Sequence, residues 1–205
     1  MREVRKALWF GLLGSVIFLV GLPWSWNGDF FDADGEDALQ VALVDDQRAE
    51  FAFSFGLLGL GALVAGAGLL MLGFAVAPIE AGERGDRHAL AAKVAGVLGG
   101  VSAVAGLSRL LHALFATPEF LVDSWIDGVL YVVGPMVGLT ISLLVFAFLA
   151  WGAQPVPKWT AVVLALGAVL GPITFASWYL GLAIFAVGNL IASRGPVEVP
   201  TAPAT

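Results

Sequence analysis

Cysteine is missing from the chain, charge is scarce, and only two histidines occur in 205 residues. Without Cys there are no disulfides, no thiolate nucleophile, no Cys-ligated zinc and no iron–sulfur cluster. Only 13% of residues are charged, against about 25% in an ordinary soluble domain. Hydrophobic residues make up 59%, and the mean hydropathy is +0.91. Uncharged apolar runs of about twenty residues recur along the chain, so the composition predicts a multi-span membrane protein.

The net charge of -6 is unevenly placed. Eight acids and one Arg lie between Pro23 and Glu50, and three further acids with no base lie between Thr117 and Asp127. Arg2, Arg5 and Lys6 put the N-terminus in the cytoplasm by the positive-inside rule, which makes the acidic loop external. The first twenty-four residues have the basic start and apolar run of a signal peptide. The bulky acidic stretch WSWNGDFFDADGE after them offers no small-x-small cleavage site, so a retained first span is expected.

The expected fold is all-α: a polytopic transmembrane helix bundle of six spans, with five as the alternative. The spans are placed at about 7–22, 51–77, 89–116, 125–151, 159–174 and 177–193, before a Pro-rich, disordered tail over 195–205. Trp9, Trp24 and Trp26 flank the first span as interfacial aromatics. Asp37 would cap a short surface helix, Ala38 to Asp46, in the first external loop. The second span should end at Pro78. Its glycines at 59, 66 and 73, and again at 61 and 68, form heptad-spaced stripes of the kind that let helix backbones approach closely. Ala91, Ala95, Gly99 and Ala103 repeat this in the third span, with Gly96 and Gly100 beside them. Gly134-Pro135 predicts a kink in the fourth.

Residues 159 to 192 decide the span count. One helix of 34 residues would be about 51 Å long against a hydrocarbon core of about 30 Å, so a turn back is expected. Gly171-Pro172 is the expected break, with Trp178 and Tyr179 at the outer interface and Arg194 back in the cytoplasm. The acidic first loop, the PVPKW approach to the fifth span and the final WYLGLAIFAVGNLIASR together resemble small, uncharacterised multi-span membrane proteins of prokaryotes. That resemblance implies a helical bundle and carries no particular activity.

The stretch from Leu107 to Tyr131 is where chemistry is best sought. Arg109 and His112 sit inside an apolar run, three apart and therefore on one side of a helix. Glu119 lies in the turn, and Asp123 and Asp127 share a face at the start of the fourth span. An intramembrane charge is costly and finds a partner or a water-filled cavity. The expected pairs are Arg109 with Asp127 and His112 with Asp123. The functional reading is an outward-facing vestibule that binds a small anion or relays protons. The structural reading, an Arg that snorkels or pins one hairpin, is the commoner situation.

Asp32, Asp34, Glu36 and Asp37 have the look of a calcium loop. Phe30 stands where a ligand should, and no Glu closes the set, so a solvated acidic loop fits better. Asn189, Pro135 and Pro172 are assigned packing or shaping roles. There is no HExxH, no phosphate-binding Gly-rich loop, and no Schiff-base Lys within a span. A non-enzymatic accessory, assembly or structural subunit of the cell membrane is therefore expected, with no cofactor and no nucleic-acid partner. The other expectation is a small transporter or channel built around Arg109 and His112. Its partners would be the bilayer and another membrane protein or further copies of itself.

Overall fold

The computed structural model describes residues 2–25, 37–123, 136–153 and 156–193, with 24, 25, 37, 122 and 123 described by backbone alone. Of these residues 94% are helical and none forms a strand. Helix α1 spans Arg2–Gly21, α2 Asp37–Asp46, α3 Arg48–Glu83, α4 Asp86–Phe115 and α5 Pro118–Asp123. Helices α6 (Thr140–Gly152), α7 (Lys158–Thr174) and α8 (Ala176–Ala192) complete the fold. Three helices, α1, α3 and α4, are long and apolar enough to cross a membrane; Met136–Gly152, α7 and α8 are shorter apolar helices.

The ends follow from local chemistry. Gly85 adopts φ 91°, a conformation open to glycine, and reverses the chain between α3 and α4. The N–H groups of Arg84 and Gly85 both donate to the Glu80 carbonyl, closing the last turn of α3. Ala116 is extended at the end of α4, and Thr117 Oγ1 accepts from the Phe120 N–H, with Pro118 in the first turn of α5. A four-residue π-helical turn over 136–139 leads into α6.

One expected boundary and one expected break move. The chain does not leave its helix at Pro78; α3 runs on to Glu83 with the proline inside it. Only one backbone hydrogen bond is lost there, and packing of the following turn outweighs it. In the last stretch the reversal falls at Phe175, in the gap between the expected spans 159–174 and 177–193, while Gly171-Pro172, the expected break, stays within α7. Phe175 takes φ 50°, an uncommon conformation for a bulky residue. Its ring meets Trp178 edge-on at 5.6 Å, and Thr174 Oγ1 accepts from the Ser177 N–H at 3.4 Å. Pro135 and the expected kink lie outside the described residues.

Helix neighbours close into a ring: α1 packs on α3, α3 on α4, α4 on α6, α6 on α7, α7 on α8, and α8 returns to α1. The glycine stripes of α3 divide between two neighbours. Gly59, Gly66 and Gly73 meet α4 at Gly106, Ala103 and Gly96, while Gly61 and Gly68 meet α1 at Phe18 and Gly11. Residue numbers rise on one helix as they fall on the other, so both pairs are antiparallel. Gly167 against Gly181 and Gly188 against Thr160 show the same for α7 and α8.

The ring is apolar on both sides. Leu58, Leu69, Leu143, Leu164 and Leu182 are buried inside it. Outside, Leu13, Val16 and Val20 on α1, Val94, Val97, Val101 and Val104 on α4, and Val162, Leu166 and Val169 on α7 are exposed at helical spacing. A soluble helix would carry polar residues on that face.

Some buried polar side chains serve helix–helix contacts. Ser142 Oγ donates to the Ala95 carbonyl at 2.8 Å, joining α6 to α4. Trp178 Nε1 donates to Thr140 Oγ1 at 3.1 Å, joining α8 to α6. Asn189 Nδ2 donates to the Phe185 carbonyl at 2.8 Å within α8 and reaches Thr160 Oγ1 on α7 at 3.4 Å. The bond to Thr160 is long, so Asn189→Leu should cost about 0.6 kcal/mol, close to the average for an interhelical hydrogen bond in a bilayer. Reversible unfolding of the two proteins in mixed micelles measures it, and a loss of several kcal/mol would show Asn189 to be a linchpin.

Candidate functional site

The ring's two ends hold different chemistry. The end formed by the last turn of α1, the start of α3, the last turns of α4 and the α7–α8 reversal carries Arg109. Its guanidinium lies 4.6 Å from the centre of the Phe55 ring on α3, in cation–π contact. Tyr179 of α8 is buried at the same end of the ring. Helices α4 and α8 stand opposite one another in the ring. Tyr179 is itself stacked on Phe18 of α1 at 3.6 Å with a 14° interplanar angle.

His112 goes elsewhere. It is half-buried, with its ring 5.1 Å from Phe120 on α5. Arg109 and His112 thus occupy the same end of α4 but touch different neighbours. Glu119 is exposed in the first turn of α5. Asp123 ends that helix and is described by backbone alone, and Asp127 lies outside the described residues. Of the five residues expected to share a vestibule, the structure brings Arg109, His112 and Glu119 to one end of the molecule.

Arg48, which the sequence reading passed over as one base among acids, has a definite job here. Its Nη2 donates to the Ala116 carbonyl at 2.8 Å, placing a cation on the C-terminus of α4 where the helix dipole favours one. This ties the start of α3 to the α4–α5 turn. Its Nη1 is enclosed and makes no hydrogen bond.

The opposite end carries a cluster in a stretch that the expected end of the second span at Pro78 placed beyond the helix. Glu80 is the one charged residue among the buried polar groups of the described chain, at 2% exposure. Arg84, one turn on, approaches it with Nη1 at 3.5 Å from Oε2 and donates from the same nitrogen to the Leu149 carbonyl of α6 at 3.1 Å. His88, at the start of α4, lies parallel to Phe148 of α6 at 6.3 Å. The signal for this cluster was present: Gly73, Ala77, Glu80 and Arg84 fall at helical spacing and continue the inward stripe of α3. Reading Pro78 as a terminus hid it.

Asp32, Asp34 and Glu36 lie outside the described residues, and Asp37 opens α2 with its backbone alone described. Among the described residues no group of three His, Asp or Glu is placed to hold a metal ion. Asn189 bonds within α8 and reaches Thr160 of α7. Set against protein-family models, curated proteins and solved structures, the chain matches none.

Proposed function

We propose that this chain is a non-enzymatic integral membrane protein that crosses the bilayer six times and works as an accessory, assembly or structural subunit. Both termini lie in the cytoplasm, and the acidic loop between α1 and α3 faces out. The observation that carries this reading is the closed ring of six antiparallel helices, apolar on its outward surface and close-packed through glycine within. Lipid is the solvent that accepts such an outer surface. Helices α7 and α8, at 17 residues each, are about 25 Å long, a few ångströms short of the hydrocarbon core. Lys158 over the Trp151 ring at 5.6 Å suits the headgroup boundary at the cytoplasmic end.

An accessory subunit recognises a partner. Native mass spectrometry of the protein extracted with its own lipids should therefore show a defined assembly with a second polypeptide. A bare monomer across a range of gentle extractions would end the accessory reading.

A second reading has its own observation. Arg109 is half-buried against the Phe55 ring at the end of the molecule that also carries His112 and Glu119, as the anion-binding charge of an outward vestibule would be. Bromide should then stabilise the purified protein saturably, and Arg109→Leu should abolish the effect while leaving a folded protein. If the Leu variant still answers to bromide as the parent does, the vestibule is discarded.

A further inference from the structure

The nine residues from Trp151 to Trp159, WGAQPVPKW, carry the chain from α6 into α7 and hold two tryptophans, one lysine and no acid. The start of α7 is fixed locally. Pro157 is extended, and the helix begins at Lys158. Thr160 is buried, and its hydroxyl and its N–H both donate to the Pro157 carbonyl, at 2.7 and 3.0 Å. With Thr160 turned inward, Lys158 and Trp159 are left on the outer surface.

Resting on the six-crossing reading, which puts this corner at the cytoplasmic boundary of the bilayer, we propose that Lys158, Trp151 and Trp159 hold the headgroup of an anionic phospholipid. Charge picks the occupant. The Lys158 ammonium lies 5.6 Å from the centre of the Trp151 ring, which takes one side of the cation and keeps it at the surface. Its three N–H donors call for an anion, and among the described residues no carboxylate lies within ion-pair reach of it. Lipid phosphate is the anion present at this depth, and a net-negative headgroup brings no cation of its own to compete with the lysine. Trp151 and Trp159, each more than half exposed, bring indole rings with one N–H donor apiece to the headgroup level, where tryptophan is enriched.

Shape fits the same molecule. Helices α6 and α7 are neighbours in the ring. Phe148 and Leu144 continue the exposed face of α6 from Trp151, and Val162 and Leu166 continue that of α7 from Trp159. Steps of three and four residues keep each set on one helix face. Two apolar tracks thus run from the lysine into the bilayer, one for each acyl chain. A soluble anion would use the cation and leave both tracks idle.

Native mass spectrometry of the purified protein, supplied with equimolar phosphatidylglycerol and phosphatidylcholine of identical chains, tests the site. The parent should retain phosphatidylglycerol in preference. Lys158→Gln, a change at an exposed residue, should lower that retention about five-fold, the worth of one lysine near an anionic surface, and Lys158→Arg should keep it. Lys6→Gln removes a cation at the same end of the ring, one already paired with Glu3, and should change nothing. Equal retention of the two lipids, or an equal fall with Lys6→Gln and Lys158→Gln, would overturn the headgroup site and leave the six crossings standing. Labelling of Lys158→Cys by an impermeant maleimide outside intact cells would instead overturn the orientation on which the site depends.

Discussion

Gly66→Leu should fail to give a monodisperse protein, whereas Gly82→Leu on the same helix should behave as the parent does. A Cβ at Gly66 would run into the backbone nitrogen of Ala103, with the Gly99 carbonyl at 2.8 Å and the Ala103 Cα at 3.0 Å. All three are main-chain atoms of α4 and cannot rotate aside. The two helices must part along the whole seam that Gly59, Gly66 and Gly73 create. Overpacking a side-chain core costs about 1–3 kcal/mol, and a backbone obstruction belongs at or above the top of that range. Gly82 has nothing within 4 Å, so the same side chain there meets open space. Size-exclusion profiles and unfolding midpoints of the two variants give the comparison. A Gly66→Leu protein as stable as the Gly82→Leu one would show that the α3–α4 seam is not close-packed.

The second large effect is one of sidedness. If the ring crosses the bilayer six times, Thr174→Cys at the α7–α8 reversal should react with an impermeant maleimide added to intact cells. Arg87→Cys at the α3–α4 turn and Ser193→Cys after α8 should react only once the membrane is opened. The chain's lack of cysteine removes background labelling. The pattern separates six spans from five: with five, residues 158–192 cross once and Ser193 lies outside. Thr174 then remains within the bilayer and resists the reagent. The expected contrast is all-or-none, because a thiol within hydrocarbon ionises poorly and only the thiolate reacts quickly. External labelling of Ser193→Cys would remove the six-span reading.

Sequence legibility divides cleanly by range. That α3 would present two glycine stripes follows from spacing alone, since residues seven apart lie on one helix face. Which neighbour each stripe meets does not. Gly66 finds α4 and Gly68 finds α1 because two separate helices dock on α3, a matter of contacts far apart in the chain. The turn back within 159–192 likewise followed from length, 34 residues being too many for one crossing. The spans of 159–174 and 177–193 placed it within a residue or two, but the residues expected to break the helix did not. Gly171 looked like a breaker, yet its missing side chain makes room for the Trp178 indole, and the chain reverses only after that contact is complete.

The charged groups show the same division. Arg109 and His112 were legible as unusual because an apolar run makes any charge conspicuous. That one meets Phe55 and the other Phe120 depended on how α3 and α5 pack against α4. Glu80 was conspicuous only once buried, because a proline two residues earlier and four charged neighbours gave it the local appearance of a loop. By itself the sequence determined the helical class, the helix faces and the need for a final reversal, all set by periodicity and length along a continuous segment. The tertiary structure decided which faces meet, where α3 ends, and that Glu80 is interior, because these depend on side chains that only packing between distant segments brings together.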